Sequence, residues 1–337
     1  MKNDPIVLSI VIVNWNAADA LPKCIGSIAA NTSNIPHEII IVDNASADGS
    51  LDIIANMYPS VVLINNTRND GFARANNQGF MVSKGEFILL LNPDTVLHDG
   101  AIARMISALN SHKDIGIIGP RVLDDDNTVS VYSKRKFPSI SQEIADIFLL
   151  TKIMRGVRSV LMKISPKFKK EYERYFNKSE DVDRLQGCCM LMKRLTYKQL
   201  NGFDESVPMY LDDIDICFRA KKVGLRIYYY AEASIGHLCG HSTKKAKNYK
   251  MYNILNLYAH MFYYKKHFGF IKVMQFKLVI GLSIPYLIAL DLFTIPFFAF
   301  SACKLKERFW ILRKHISYFK LLFDDVSRIL NLEYIGG

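Results

Sequence analysis

The sequence predicts an α/β fold, a mostly parallel sheet flanked by helices, and three observations carry that prediction. Short aliphatic and β-branched runs alternate with segments of helical periodicity through the first 120 residues. Those runs are close to continuously apolar instead of alternating with polar residues, as strands covered on both faces must be. The turns behind them are rich in Asn, Asp and Gly, and open sheets of this kind bind ligands beyond the carboxyl ends of their strands.

Leu8–Val13 reads as the first buried strand and Asp19–Ala30 as the helix after it. Glu38–Val42 is a second strand, and a helix follows over Ser50–Met57 with Ser46 and Asp48 as candidate caps. Val61–Ile64 is a third strand, Phe72–Val82 a helix and Glu86–Leu91 a fourth strand, and Ala101–Leu109 with Ile115–Ile118 continues the alternation. Beyond about residue 133 the alternation stops. Residues 134–178 read as basic and helical, with breaks at Gly156 and Pro166. A second compact stretch, 182–237, supplies a strand over Cys188–Met192, a turn, and a helix over Ile214–Lys222. From Tyr249 the chain is aromatic and helical.

Half of the 337 residues are hydrophobic and 22% are charged, which excludes a disordered chain. The net charge of +11 is unevenly distributed. Residues 1–133 carry 8 Lys/Arg against 14 Asp/Glu, and 179–243 carry 8 against 9. Segment 134–178 carries 12 against 4, and 244–337 carries 15 against 5. Basic segments beside an acidic, apolar body suit an anionic membrane face at least as well as nucleic acid. Plain solubilising charge also accounts for the middle segment. The six cysteines, Cys24, Cys188, Cys189, Cys217, Cys239 and Cys303, show no C-x-x-C pair, so they read as buried small hydrophobes in a reducing compartment. The apolar run after Met1-Lys2-Asn3-Asp4-Pro5 is too short for a signal peptide, and the expectation is a cytoplasmic catalytic part.

The strand ends hold the polar motifs. The first gives Asn14-Trp15-Asn16, without G-x-G-x-x-G, and the chain has no P-loop. The second gives Asp43-Asn44-Ala45-Ser46, where a carboxylate can accept from a base or a ribose. The stretch Asn69-Asp70-Gly71-Phe72-Ala73-Arg74 with Asn76-Asn77-Gln78-Gly79 opens a helix. There the Gly71 backbone can approach a diphosphate, and Arg74 can pair with it. The fourth strand ends in Asn92-Pro93-Asp94, where a carboxylate can hold a divalent cation. Gly202-Phe203-Asp204-Glu205 precedes Asp212-Asp213-Ile214-Asp215, three carboxylates at a helix start. Capping explains one or two of them; mutual repulsion would raise a pKa, which suits a general base. His237 follows a short strand, and its spacing to His241 fits no zinc pattern, so it reads as one ligand of a shared site or as structural.

In this order, Ser9–Asn16, Val42–Ser46, Asn69–Phe72 with Asn77–Gly79, Leu91–Asp94, Gly202–Glu205, Asp212–Asp215 and His237 resemble a family-2 glycosyltransferase of the GT-A fold, with its Rossmann-like nucleotide-binding half. Within that family the chain is most similar to the rhamnosyltransferase and galactofuranosyltransferase branch. The resemblance covers roughly residues 6 to 245. It implies a catalytic domain over 1–245, with 134–180 as a basic helical insertion, and a membrane-associating helical region over 246–337. It also implies roles. Asp43 matches the base-contacting aspartate, Asp94 the last aspartate of D-x-D, Asp213 the catalytic base, and His237 a histidine that completes the metal site. Asn92 departs from the first D-x-D aspartate and Asp212 from the usual Glu, which leaves the base to be decided between neighbours.

The implied reaction is an inverting transfer assisted by Mg²⁺ or Mn²⁺. It runs from a nucleotide-sugar donor to a glycan or lipid-linked acceptor on the cytoplasmic face of the membrane, with dTDP-rhamnose the expected donor and UDP-galactofuranose or a UDP-hexose the alternatives. Asn14, Asp43, Gly71, Arg74, Asn77 and Asn92 are the candidate donor contacts, Asp94 and His237 the metal ligands, Asp213 the base, and Asp212 and Asp215 its acceptor-side neighbours. A processive synthase would carry Q-x-x-R-W, which Arg308-Phe309-Trp310 does not match. A non-catalytic sugar-nucleotide module would have lost the base or the metal aspartate. A nucleotidyltransferase leaves the carboxylates near 213 and His237 unexplained. No nucleic-acid partner is expected, since the basic segments carry no recognisable motif.

Leu278–Cys303 is a 26-residue stretch whose only charge is Asp291. A helical span needs roughly 20 apolar residues, so the length suffices. Asp291 at its centre, Pro285 and Pro296, and lysines or arginines on both flanks favour an in-plane or re-entrant anchor over one crossing.

Overall fold

In the computed structural model, which describes residues 5–148, 150–207, 211–237, 249–294 and Leu322, the chain divides into two units. The first comprises residues up to Phe137 together with Lys170–Tyr249, and the second Pro138–Lys169 together with the chain from Lys250.

The first unit is built on one large sheet. Its early elements are β1 (Leu8–Asn14), α1 (Leu21–Asn31), β2 (His37–Asp43), α2 (Ser50–Met57), β3 (Val62–Asn65), α3 (Phe72–Val82), β4 (Phe87–Leu91), β5 (Thr95–Leu97), α4 (Ala101–Ser111) and β6 (Ile115–Leu123). β1 is buried along its whole length because both its faces are covered. Leu8, Ile10 and Ile12 meet α1 and α4 through Ile25, Ile28, Ile102 and Met105. Val11 and Val13 point into a second core with Ala73 and Ala75 of α3. Side chains alternate across a strand, so an unbroken apolar run is what two cores demand. β1 pairs in parallel with β2 and β4, and β2 with β3, as the alternation predicts.

Later elements change the sheet. After β7 (Lys134–Arg135) come α5 (Ile140–Ile147), α6 (Leu150–Ile164), α7 (Pro166–Phe176), β8 (Glu180–Asp181) and β9 (Arg184–Leu185). Then follow β10 (Cys189–Lys193), α8 (Arg194–Gln199), α9 (Asp212–Lys222) and β11 (Arg226–His237). The strand order is β3-β2-β1-β4-β10-β6-β11-β5, with β8 also on β11. β10 enters between β4 and β6 and runs antiparallel to both, with Cys189 opposite Leu91. The strand that ends in His237 is twelve residues long, not short, and it continues past irregularities in its register with β6. The expected caps of α2 also differ. Gly49, at φ 80°, takes the N-cap, while Asp48 accepts from the Ser50 amide and hydroxyl and Ser46 turns back to Asp43. Cys24, Cys188, Cys189 and Cys217 are free and buried, and Cys239 and Cys303 lie outside the described residues.

One polar joint holds α3 to the turn before α9. Asn77 Oδ1 accepts from the Tyr197 hydroxyl (2.7 Å) and the Phe203 amide (3.0 Å). Its Nδ2 donates to the Phe203 carbonyl (2.9 Å) and to Glu205 Oε1 (3.0 Å). Gly202 has φ +66°, and a Cβ there would lie 2.4 Å from Asn77 Oδ1, so glycine is required twice over. All the polar capacity of Asn77 on the turn side is thus engaged in packing, although the sequence marks it as a donor contact.

In the second unit, α10 (Tyr249–Phe268) and α11 (Phe270–Thr294) join α5 and α6. Val273, Phe276, Ile280, Ile284 and Leu287 form the buried side of α11, which continues through Pro285. Buried Glu143 of α5 lies 3.0 Å from His260 Nδ1 and accepts from the Tyr264 hydroxyl at 3.4 Å. The rest of the Leu278–Cys303 stretch, from residue 295, lies outside the described residues.

Asn77→Ala should lower unfolding free energy by about 2 kcal/mol, since it strands the buried Tyr197 hydroxyl and the turn's backbone groups. Chemical denaturation checks this, and donor affinity of the folded protein should stay as in the wild type.

Candidate active site

β1, β2, β4, β6 and β11 all run the same way, so their carboxyl ends share one edge of the sheet. β10 runs against them, and so its start lies on that edge: Asn92, just past β4, donates its amide to the Cys188 carbonyl at 2.9 Å. The loop Gln186-Gly187 ahead of β10 is thereby delivered to the polar strand ends.

At the ends of β1 and β2, Asn14 and Asp43 are opposite one another and fully buried. Asn14 Nδ2 donates to Asp43 Oδ1 (2.6 Å), Ser50 Oγ (2.8 Å) and Ser46 Oγ (3.1 Å). Asp43 also receives the Ser46 hydroxyl (2.6 Å) and amide (2.8 Å). Asn16 and Ala45 adopt positive φ, at 52° and 58°, and this network holds both loops in that conformation. Asn14 Oδ1 is buried and accepts no hydrogen bond among the described residues. Farther along, Gly71 at φ 84° opens α3 and its carbonyl accepts from Asn44 Nδ2 at 3.2 Å. Arg74 is about half exposed and lies 3.8 Å from Asp70 and 3.9 Å from Glu205.

Beyond β4 the chain turns through Asn92-Pro93-Asp94 into β5, which pairs with β11 so that Thr95 faces His237. The register puts Asp94 beside His237, with Oδ1 3.2 Å from Nε2. Both are nearly buried, and Asp94 Oδ1 accepts no well-formed hydrogen bond. Gln186 Nε2 stands 3.2 Å from His237 Nδ1, and Gln186 Oε1 is a third buried oxygen at this edge without a donor. Among the described residues no three His, Cys, Asp or Glu side chains form a complete metal cage. The oxygen of Asp94 and the imidazole nitrogen of His237 do suit a hard or borderline cation as a partial ligand set. The orientation of an amide is assigned from its neighbours. With Gln186 turned over, its oxygen accepts from Nδ1–H and leaves the Nε2 lone pair facing Asp94, the tautomer that metal binding needs.

Asp213 is in the first turn of α9, with Asp212 and Asp215. Its Oδ2 accepts from the Gly187 amide (3.1 Å) and its Oδ1 from the Ile214 amide (2.9 Å). A Cβ on Gly187 would come within 3.0 Å of the Asp213 Cβ, so any side chain there would press on Asp213 and force one of the two to shift by a few tenths of an ångström. Burial pushes the Asp213 carboxyl above the usual aspartate range, against the lowering effects of Arg184 and of the two amides. The cause is desolvation, not the repulsion among three carboxylates that the sequence suggests. Asp215 faces elsewhere: its Oδ2 pairs with Arg219 at 2.7 Å, and Arg219 also holds the Leu200 and Gly202 carbonyls. Asp212 is buried in the same turn.

The edge therefore gathers Asp94, His237 and Asp213 around Gln186-Gly187, and sets Asn14 and Asp43 in a neighbouring network. Asn77 and Asp215 serve the joint beneath. Gln186 and Gly187 are absent from the sequence reading. Their one signal is a polar residue and a glycine directly before the apolar run Cys188–Met192, and it acquires meaning only with the strand direction.

A family model described as "Glycosyl transferase family 2" matches residues 9–200. The N-acetylglucosaminyl-diphospho-decaprenol L-rhamnosyltransferase of Mycobacterium tuberculosis is 29% identical over 253 residues, covering 70% of this chain and 78% of that one. The rhamnosyltransferase WbbL of Escherichia coli is 25% identical over 242 residues, covering 70% and 84%. Among solved structures, a mannosyltransferase of Pyrobaculum calidifontis, in complex with GDP-Man and Mn²⁺, superposes with a TM-score of 0.51 at 14% identity, covering 94% of this chain and 87% of that one. The fold is thus of the GT-A type, and the chain belongs to glycosyl transferase family 2.

Proposed function

We propose that this glycosyltransferase carries out an inverting transfer of L-rhamnose from a deoxythymidine diphosphate donor to a lipid-linked or cell-surface polysaccharide acceptor, working at the cytoplasmic face of the membrane. The observation that carries the reading is the meeting of Asp213 and the Asp94–His237 pair across one two-residue loop. The sugar and the lipid-linked acceptor are supported by the relatives, two rhamnosyltransferases, one of them named for a diphospho-decaprenol substrate. The membrane is supported by α11, of which Phe270–Ala289 is long and apolar enough to cross a bilayer.

Asp213 takes the proton of the acceptor hydroxyl as that oxygen attacks the anomeric carbon. The bond from that carbon to the diphosphate breaks on the opposite face, and its electron pair leaves with the nucleoside diphosphate. The raised pKa makes Asp213 a stronger base than a solvated aspartate, while the Gly187 and Ile214 amides fix its direction. Asp94 and His237 would hold a divalent cation, Mg²⁺ or Mn²⁺, which offsets charge on the departing diphosphate. Gln186 orients the imidazole, and the Asn14–Asp43 network keeps the first two loops open toward the donor's nucleoside. Asn92 takes the place of a further carboxylate, so the protein supplies few anionic oxygens of its own.

Asp213→Asn should reduce turnover about a hundredfold or more, with donor binding retained, because it removes the base and keeps the shape. Full turnover in Asp213→Asn, with loss in Asp212→Asn or Asp215→Asn instead, would reassign the base. Because the base works only when ionised, wild-type kcat/KM should fall as pH drops through a pKa above the ordinary value of about 3.9. A pH–rate profile with an ordinary or absent acid limb contradicts this.

Excess chelator should abolish activity, and added Mn²⁺ or Mg²⁺ should restore it. Asp94→Ala and His237→Ala should weaken the rescue most, and Gln186→Ala should weaken apparent metal affinity roughly tenfold or more through the imidazole. Undiminished turnover in chelator removes the cation from the reaction.

A screen of nucleotide-sugar hydrolysis by the purified protein should single out dTDP-rhamnose. Preference for UDP-galactofuranose or a UDP-hexose keeps the reaction and replaces the sugar.

A further inference from the structure

Helix α6 turns its apolar side outward. Ile153, Met154, Val157, Val160 and Ile164 are 53–70% exposed. At about 100° per residue, Ile153, Val157, Val160 and Ile164 fall within an arc roughly 60° wide, with Met154 about 60° beyond its edge. A helix of a soluble domain turns such a stripe inward, and large contiguous apolar patches are rare on free surfaces.

The charge of the segment indicates what covers it. α6 contains Lys152, Arg155, Arg158 and Lys163 and no acidic residue, and the whole of 134–178 has 12 Lys/Arg against 4 Asp/Glu. Lys163 and Lys167 are exposed at and just beyond its carboxyl end. A second copy would bring a surface of the same sign and be repelled. An anionic surface is attracted, and the apolar stripe then needs an apolar medium beside that anion layer. The same unit contains α11, whose exposed residues Ile271, Met274, Leu278 and Leu282 recur at helical spacing opposite its buried side.

We propose that α6 lies in the plane of a bilayer that carries anionic lipid, with its apolar stripe below the headgroups and its lysines and arginines among the phosphates. Amphipathic basic helices bind such surfaces by buried apolar area and by charge, at about 1 kcal/mol for each Lys or Arg near the surface. The inference shares the membrane setting of the proposed function but concerns a different element, in the stretch the sequence marks only as a basic insertion.

The full-length variant Val157→Trp, mixed with vesicles of phosphatidylcholine and phosphatidylglycerol, tests this. Quenching by lipids brominated on the acyl chains is compared with the wild type, which carries only Trp15 and Trp310. The expected result is strong additional quenching from the new indole. Adding Lys163→Glu and Lys167→Glu should lower the vesicle partition coefficient of this helix about thirtyfold or more, by reversing two of the attractive charges. Vesicle-bound protein whose new indole is unquenched would overturn the role of α6 and leave the membrane setting intact. Protein that floats with no vesicles overturns both. A concentration-dependent dimer in which the indole is shielded without lipid assigns the stripe to a second copy and overturns the proposal too.

Discussion

The antiparallel insertion of β10 between β4 and β6 is the constraint on which the rest of the first unit depends. A parallel strand in that slot would carry its start to the far edge of the sheet. Running the other way, β10 begins where its neighbours end, and Gln186-Gly187 meet His237 and Asp213 there. The insertion also separates β4 from β6, and β5 then reaches β11 on the far side, which brings Asp94 to His237. Two carboxylates 119 positions apart in the chain thus bracket one short loop.

Polar groups at this edge divide into two kinds by whether the protein satisfies them. Asn77, Asp215 and Arg219 are engaged with backbone and side-chain partners, and they fix the turn that aims α9. Asn14 Oδ1 and Asp94 Oδ1 are buried and accept no well-formed hydrogen bond among the described residues, while Gln186 Oε1 gains one from His237 Nδ1–H once its amide is turned over. Each such oxygen costs about 1–3 kcal/mol, and native folds keep few of them. Two of them at the carboxyl ends of one sheet leave acceptors on that edge without a well-formed hydrogen bond from within the chain. Asp213 differs from them in that its oxygens are satisfied by backbone amides, while its burial raises the cost of its charge and lifts its pKa above the usual aspartate range.

The second unit follows different rules. Its inner contacts are aromatic and include the buried Glu143, His260 and Tyr264 group, while α6 and α11 both expose apolar residues at helical spacing. Polar side-chain networks gather at the sheet edge of the first unit, and rows of exposed apolar residues at helical spacing occur on α6 and α11 of the second.

The sequence alone determined the parallel start of the sheet, since two-sided burial leaves an unbroken apolar run in β1 and β4 and short polar turns must follow. It also determined which carboxylates are candidates, because motif order survives in one dimension. Tertiary structure decided how those candidates are used. Asn77 and Asp215 have the same local signature as Asn14 and Asp213, but their partners lie 126 residues away or on the next helical turn. Hydrogen-bond saturation is a property of neighbours in space, not in sequence. Gln186 was hidden for a related reason: a residue's place on the working edge depends on the direction of its strand, and five apolar residues read the same in both directions.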